Sequence, residues 1–448
     1  MLELGIIHNG ASDLPMVRNA AGMVLPQGTL ADMHASNQRG VVNQLQQGIL
    51  AEKLGYDYFW MTEHHFCPEG LEFSPNPLLL QAAIASRTSR IRLGQMANII
   101  SQWHPIRFAE QAAMLDVISN GRLECGIGRG YEPREVEVFG RTYGTTAQDQ
   151  ERNRASFEES LEIILRAWTQ SSFSHHGENF SLPPNYTKWH HAQTMALFSR
   201  PDYGRTLEQV LHVGKPDLYS SGGPVQASTT VLKELSVFPQ PLQKPHPQLW
   251  MPLTSERSMR WAAANGVNGT CLADPTWRLK HNCQQYFDEC EKRNWPDRLG
   301  RGKFKFGWDS ERKRGMAVAR QVHILKDPKD AQELERVALG IELMWCFYGP
   351  FGFAPLLSRP GEMLGYDTKI TFDMVNERGV VLVGTAEQVA EKIIQLKKEL
   401  GFDDFLFIAY FDKGGFSGAE IEEQMQLFSD HVAPILRSEL GGSPSASV

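Results

Sequence analysis

The sequence predicts an α/β fold in which a parallel sheet is built from about eight strand–helix units. Short apolar runs alternate along the chain with longer segments whose apolar residues recur at helical spacing. Buried parallel strands are mostly apolar, and each needs a crossover, usually a helix, to reach its parallel neighbour. A closed (β/α)8 barrel and a doubly wound open sheet share this alternation, so periodicity alone leaves both architectures open.

Eight apolar runs have the length and composition of buried strands. The predicted strands are Leu2–His8, Tyr58–Thr62, Ile91–Ala97, Leu123–Gly128, Leu249–Leu253, Gly269–Ala273, Met316–Leu325 and Phe405–Tyr410. Segments between them show helical spacing and often end near Gly or Asn, which favour helix C-termini. The predicted helices are Asn37–Leu54, Pro105–Ser119, Arg152–Trp168, Ser255–Asn265, Thr276–Asn294 and Ala386–Leu400.

Residues 183–247 interrupt this alternation. The segment is rich in Pro, His, Gly and Ser and has no clean strand pattern, so it predicts a long insertion before the fifth strand. Connections of this length are often lids, binding loops or contact elements, and we expect a lid or a subunit contact here. We expect residues 1–440 to form one domain that carries this insertion. The small polar residues 441–448 predict a disordered tail.

Composition favours a globular protein that acts on small molecules. Hydrophobic residues make up 42% and charged residues 22% of the 448 residues, which allows a sizeable core. The net charge of −7 argues against a nucleic-acid or anionic-membrane binder. No apolar run is long enough to span a membrane, no signal peptide is recognisable, and the six cysteines form no CxxC pair. These features predict a cytoplasmic protein with reduced thiols.

The residues Glu63, His64 and His65 lie at the carboxyl end of the second predicted strand, where barrel enzymes assemble their active sites. Side chains alternate along a strand, so His64 is expected to point away from Glu63 and His65. Adjacent histidines on a strand cannot both bind one metal ion, and the sequence has no HExxH motif, so no metal site is predicted. The alternative is a set of structural polar groups at a strand end.

Two further segments could bind an anion. Arg129 lies in a glycine-rich turn after the fourth strand, and the turn does not match GxGxxG because position 131 is Tyr. Thr254, Ser255 and Ser258 lie at the start of the helix after the fifth strand, and helix N-termini bind phosphate. Simple N-capping explains the same serines equally well.

Four blocks together resemble the FMN-type members of the bacterial-luciferase-like flavin-dependent monooxygenases. They are LGYDYFWMTEHHF at 54–66, HPIRFAEQAAMLDVISNGRLECGIGRG at 104–130, PQPLQKPHPQLW at 239–250 and GVVLVGTAEQVAEKI at 379–393. The resemblance implies a (β/α)8 TIM barrel, with the insertion before its fifth strand. It also implies that reduced FMN and dioxygen form a C4a-hydroperoxyflavin, which oxidises a small organic substrate.

The resemblance also implies roles for individual residues. His64 matches the catalytic histidine, with Glu63 and His65 beside it. Met96 and Ala97 match a non-prolyl cis peptide beneath the flavin, and Tyr131 would approach the flavin through its backbone. The residues that correspond to the phosphate site are Arg129, Ser255 and Ser258, with Thr254 at the position of a glutamate in luciferase.

No NAD(P)H-binding fingerprint is visible, so we expect a separate NAD(P)H-dependent flavin reductase to supply reduced FMN. A homo-oligomer is also expected. One alternative is a deazaflavin-dependent dehydrogenase on the same fold, which would transfer hydride without oxygen. The other is a non-catalytic flavin-binding paralogue. The EHHF block favours FMN, and the presence of His64 and Arg129 argues against the paralogue.

Overall fold

The computed structural model describes residues 1–187, 230–293 and 313–441, together with residues 193, 196–197, 200, 202, 211–213 and 308–309. Within these residues, eight parallel strands form a closed ring. The strands are β1 (Leu2–His8), β2 (Tyr58–Met61), β3 (Arg92–Gln95), β4 (Leu123–Gly128), β5 (Gln248–Pro252), β6 (Asn268–Cys271), β7 (Arg314–Ile324) and β8 (Phe405–Tyr410). The ring closes where β8 pairs with β1, and each other strand pairs with the next in the chain.

This ring confirms the barrel and excludes the open sheet. The deciding pairing joins β4 to β5, with Gln248 opposite Glu124 and Trp250 opposite Gly126. All eight predicted strands are present, and no strand end differs from its prediction by more than two residues. The sequence prediction omitted several short strands, among them Val381–Gly384, which pairs in parallel with the end of β7.

The six predicted helices are present in the described residues, together with helices that were not predicted. Their bounds are Leu30–Lys53, Pro77–Ala85, Pro105–Ile118, Pro133–Phe139, Gln150–Thr169, Glu256–Ala264, Thr276–Arg293, Ala331–Tyr348, Phe353–Leu356, Phe372–Glu377, Ala386–Leu400, Gly418–Leu427 and Ala433–Leu440. The first helix begins earlier than apolar spacing predicted, because Thr29 and Asp32 form a capping box ahead of its apolar face. It ends before Gly55, whose φ of 79° suits a glycine. None of the helices in the described residues is long and apolar enough to cross a membrane.

Large side chains fill the barrel interior. The Trp60 ring on β2 and the Trp250 ring on β5 meet edge to face with centroids 4.9 Å apart, and both are fully buried. Because β2 and β5 are not neighbours in the sheet, these rings meet inside the ring of strands. The Trp250 indole nitrogen donates to the buried Glu124 carboxylate at 2.6 Å. At Gly126, a Cβ atom would lie 1.7 Å from the Gln95 carbonyl oxygen, so this position on β4 requires glycine.

The chain divides into two compact units. One comprises residues 1–99, 115–135 and 247–448 and contains all eight barrel strands. The other comprises residues 100–114 and 136–246, where the Trp168 indole donates to the Ala109 carbonyl at 2.9 Å. A single domain over 1–440 stays a prediction.

The expectation of an insertion without strands is wrong in one respect. Leu211–Val213 and Thr230–Leu232 pair as a short antiparallel ladder. Strands of only three residues are too short to be recognised from apolar alternation in the sequence. Most of residues 188–229 and the predicted disordered tail from residue 442 lie outside the described residues.

Candidate functional site

The predicted site residues follow four consecutive strands of the barrel. Because all barrel strands are parallel, their carboxyl ends share one rim, the rim at which such barrels hold their active sites. Glu63, His64 and His65 follow β2, Met96 and Ala97 follow β3, Arg129 and Tyr131 follow β4, and Thr254, Ser255 and Ser258 follow β5. Closure of the barrel therefore brings these sequence-distant groups to adjacent strand ends.

His64 lies among three carboxylates. Its Nε2 atom is 3.3 Å from Glu72, and its Nδ1 atom is 3.4 Å from Glu132 and 3.5 Å from Glu135. The histidine is 9% exposed, and Glu72 and Glu132 are more deeply buried. Both ring nitrogens thus face carboxylate oxygens. This arrangement suits a doubly protonated imidazolium, in which both nitrogens are donors.

The electrostatic environment favours a proton on His64. Burial alone lowers the pKa of His64, but the carboxylates of Glu72, Glu132 and Glu135 outweigh burial and raise this pKa well above 6.5. Burial raises the pKa of Glu72 to about 7, against the opposing effect of His64. Burial also acts to raise the pKa of Glu132, yet its contacts with His64 lower it overall. Glu72 is thus a buried carboxyl beside His64 whose pKa lies near neutral.

Three side chains position Glu72. The Tyr348 hydroxyl donates a hydrogen bond to its carboxylate, and the Asn9 amide donates to the Tyr348 oxygen at 3.1 Å. The Cys67 thiol donates to the other Glu72 oxygen at 3.2 Å. Burial raises the pKa of Cys67, so the thiol is a hydrogen-bond donor and not a thiolate nucleophile.

Arg134 partly balances the negative charge of this cluster. It binds both oxygens of Glu69, at 2.8 and 3.0 Å, and its Nε atom is 3.5 Å from Glu132. Glu135 accepts a hydrogen bond from the His65 backbone N–H at 2.5 Å, which fixes the backbone next to His64. The cluster of His64, Glu72, Glu132, Glu135 and Arg134 is called the histidine cage below.

Glu63 and His65 form a separate pair. One oxygen of the buried Glu63 carboxylate accepts from the Ile99 N–H at 2.8 Å, and the other lies 3.2 Å from the His65 Nε2 atom. These partners differ from those of His64, which agrees with the expected alternation of side chains. The geometry gives Glu63 a bracing position between the ends of β2 and β3. A catalytic role for Glu63 and His65 stays a prediction.

The cage also meets a geometric criterion for metal binding. Ligand atoms of His64, Glu72 and Glu132 lie within 4.8 Å of one another, as do those of Cys67, Glu132 and Glu135. However, Glu72 and Glu132 face opposite nitrogens of the imidazole. A bound ion uses one ring nitrogen, whereas carboxylates face both nitrogens here, so the arrangement fits an imidazolium better.

The peptide bond between Met96 and Ala97 is cis, as the resemblance implied. Both residues are buried, and the Met96 N–H donates to the Met61 carbonyl at 2.7 Å. Gly128 approaches this segment closely, because a Cβ atom there would lie 3.3 Å from the Ala97 Cβ. Their place beneath a flavin stays a prediction.

Arg129 and the serines follow strands that pair directly. The last recorded partners of this pairing are Trp250 and Gly126, which lie three residues before Leu253 and Arg129 respectively. Ser255 caps the helix Glu256–Ala264: its hydroxyl accepts from the Ser258 N–H at 3.2 Å, and the Ser258 hydroxyl accepts from the Ser255 N–H at 3.1 Å. The capping interpretation is thus realised. The positive end of this helix dipole thus follows β5, and Arg129 follows the paired strand β4.

A second arginine that sequence reasoning did not select lies at this place. Arg278 donates to the Thr254 carbonyl at 3.1 Å and to the Asp274 carboxylate at 2.8 Å. The acidic residue in the first turn of the helix, Glu256, is paired with Arg260 at 2.5 Å. The region around Thr254 therefore combines a helix N-terminus with nearby guanidinium groups.

Sequence reasoning found His64 and Arg129 but missed most of their surroundings. Glu132 and Glu135 lie within six residues of Arg129, so acidic residues after the glycine-rich turn were a usable local signal. Tyr348 is separated from Glu72 by 276 positions, and no local pattern connects them.

Comparison with known proteins supports the resemblance. The sequence model described as luciferase-like monooxygenase matches residues 21–203. One curated relative is the oxygenase component of flavin-dependent trigonelline monooxygenase from Acinetobacter baylyi. It is 26% identical over 219 residues, which cover 49% of this chain and 45% of the relative. The chain spans about half or less of the first curated relatives, 51%, 40% and 45% of their lengths.

Solved structures share the fold. The oxygenating constituent of 3,6-diketocamphane monooxygenase from Pseudomonas putida, in complex with FMN, has a TM-score of 0.65 and 19% identity, covering 97% of this chain and 99% of that chain. An F420-dependent secondary alcohol dehydrogenase has a TM-score of 0.57 and 13% identity, covering 97% and 99%. At these identities the likeness establishes the barrel fold, and the function has to be argued from the site.

Proposed function

Because this chain is related to the luciferase-like monooxygenases over residues 21–203, we propose that it is the oxygenase of a flavin-dependent monooxygenase. It uses reduced FMN and dioxygen to oxidise a small organic substrate. A separate NAD(P)H-dependent reductase supplies the reduced flavin, in keeping with the relative described as an oxygenase component. The observation that carries the proposal is a buried, proton-holding His64 on the same barrel rim as an arginine and a helix N-terminus.

The residues after β4 and β5 fit the FMN phosphate. A phosphate dianion needs cationic and N–H donors, and these strand ends offer Arg129 and the first turn of the helix that Ser255 caps. Arg278 adds positive charge at the Thr254 carbonyl. The capping box uses the hydroxyls of Ser255 and Ser258 within the helix start, so backbone N–H groups and guanidinium groups would supply most of the binding.

His64 serves this chemistry as a proton donor. When bound, reduced FMN supplies the electrons that activate dioxygen, and such chemistry needs protons delivered where water is excluded. The cage keeps a proton on the imidazole at neutral pH because three carboxylates face it. Glu72, with its pKa near 7, then returns a proton to the Nε2 atom of His64.

The F420-dependent neighbour makes a deazaflavin dehydrogenase the second candidate, since it shares the barrel. One assay separates the two. Purified protein is supplied with reduced FMN or with reduced F420, and oxygen consumption is recorded while products are analysed by mass spectrometry. We expect oxygen uptake and an oxygenated product with FMN. Hydride transfer from F420 without oxygen uptake would establish the dehydrogenase, and FMN binding without any turnover would establish a non-catalytic paralogue.

A further inference from the structure

An apolar groove lies beside the histidine cage in the barrel unit. It is formed by the hairpin Met16–Arg18 and Val24–Pro26, by the start of the helix Leu30–Lys53, and by the end of the helix Ala331–Tyr348. Its volume is about 560 Å³, within the range of small-molecule sites. The apolar side chains that line it include Met23, Leu25, Leu30, Met33, Leu343 and Phe347.

Several of these side chains are unusually exposed for their type. Leu30 is 68% exposed, Met23 53% and Leu25 38%. Beneath them, Val24 and Leu343 belong to a buried cluster that also includes Met16. A groove with a packed floor and exposed apolar walls marks a surface that gains free energy when an apolar molecule covers it.

No lysine, arginine or histidine side chain lines the groove among the described residues. Among its described lining residues, Glu69 alone is charged at neutral pH. Arg134 holds that carboxylate through both oxygens, so the guanidinium is already paired. The Glu69 carboxylate would repel an anionic ligand, whereas an uncharged apolar molecule would not meet this repulsion.

Two chains of contacts join the groove to His64. The Phe351 ring lines the groove and packs on the Tyr131 ring at 5.7 Å, and the Tyr131 ring packs on the His64 ring at 6.4 Å. The second chain consists of ion pairs: Arg134 pairs with both Glu69 and Glu132, and Glu132 faces His64. A single aromatic ring therefore separates the groove from the histidine.

We propose that this groove binds the organic substrate and that the substrate is an uncharged, predominantly apolar molecule. The proposal rests on the proposed monooxygenase function, because it assigns the groove to the substrate of His64. Tyr131, whose ring packs on both His64 and Phe351, is the residue through which the groove meets the cage.

The test uses the uncharged fluorescent probe N-phenyl-1-naphthylamine with the full chain and without flavin. Leu30→Glu places a charge in the groove while an acidic residue in the first helical turn preserves the helix. Leu79→Glu is the matched control, because Leu79 is 71% exposed in the first turn of the helix Pro77–Ala85 and lies outside the groove. We expect Leu30→Glu to weaken probe binding about tenfold or more, and Leu79→Glu to leave it unchanged.

Ligand class is tested by displacement of the same probe. We expect 2-decanone to displace it and decanoate, which has the same chain length, to fail at equal concentration. Equal displacement by both, or equal binding by the two leucine variants, would overturn the proposal. Probe binding that falls as the protein dimerises in light scattering would assign the groove to a second copy of the chain and also overturn it. FMN binding is measured separately on each variant. A protein that binds FMN but not the probe would contradict the groove proposal alone, and a protein that does not bind FMN would contradict the proposed function.

Discussion

The Nε2 atom of His64 lies 3.3 Å from the carboxylate of Glu72, and both side chains are buried after the end of β2. In this relationship the carboxylate raises the pKa of the imidazole, while burial raises the pKa of the carboxyl. The charged form of the imidazole is therefore favoured, while the pKa of the Glu72 carboxyl lies near 7. Tyr348 and Cys67 fix the carboxylate by donating hydrogen bonds to its two oxygens.

Replacing His64 by alanine should lower substrate oxidation by about 10² or more, because the acid–base group is lost. FMN binding should stay largely unchanged, since the predicted phosphate contacts lie after β4 and β5. Single-turnover product analysis and a flavin titration measure the two effects. His34→Ala, on an exposed face of the first helix, is the control. Wild-type product formation by His64→Ala would remove His64 from the mechanism.

The pH dependence should respond to Glu72. Because His64 has a raised pKa, its imidazolium is present below that pKa and is lost as pH rises through it. Glu72→Gln removes one attracting charge, so the alkaline limb of the pH–rate profile should move to lower pH, by roughly one to three units. Glu158→Gln, at an exposed helix position, should leave the limb in place. A limb that is unmoved or moves to higher pH would contradict the proton-holding role of the cage.

Arg129→Ala should weaken FMN binding by roughly 10- to 100-fold and riboflavin binding far less, because riboflavin lacks the phosphate. Isothermal titration with both flavins measures the difference. Arg87→Ala, at an exposed position after the helix Pro77–Ala85, serves as the control. Equal losses for both flavins would show that Arg129 does not contact the phosphate.

Substitutions of Ser255 can distinguish its role in capping the helix from a role of the helix N-terminus in phosphate binding. Aspartate is also a good N-cap, so Ser255→Asp should keep the melting temperature, while its negative charge should weaken FMN and spare riboflavin. Ser255→Ala should lose about 1 kcal/mol of stability because the cap is removed. If Ser255→Asp binds FMN as the wild type does, the helix N-terminus is not the phosphate site.

The insertion can be tested by a deletion that the structure defines. The Leu232 N–H donates to the Thr187 carbonyl at 2.8 Å, so a short glycine linker can replace residues 188–229. The bridge between Phe173 and Leu235 is then retained. If the segment is a lid, hydrogen peroxide release per reduced flavin should rise, because water reaches the flavin. If it is a subunit contact, the mass by light scattering should fall. If the deletion variant releases as much hydrogen peroxide per reduced flavin as the wild type and has the wild-type mass, both roles are refuted.

The sequence alone predicted the eight barrel strands and the strand ends after which the candidate site residues lie. The apolar run Leu123–Gly128 forms a buried strand, as its pattern predicted, and Gly55 follows the end of a helix because it tolerates a positive φ. These are local properties, set by hydrogen bonding and side-chain periodicity within a few residues. For the same reason, the position of His64 just after β2 could be predicted before any contact was known.

Tertiary structure decided which of these ends meet. The pairing of Gln248 with Glu124 closes the barrel, and it depends on strand order and register, which no local pattern specifies. The carboxylates around His64 and the hydroxyl of Tyr348 come from separate segments of the chain. A pKa shift arises from charges within a few ångströms, whatever their separation in sequence, so the proton-holding state of His64 exists only once the barrel has brought those segments together.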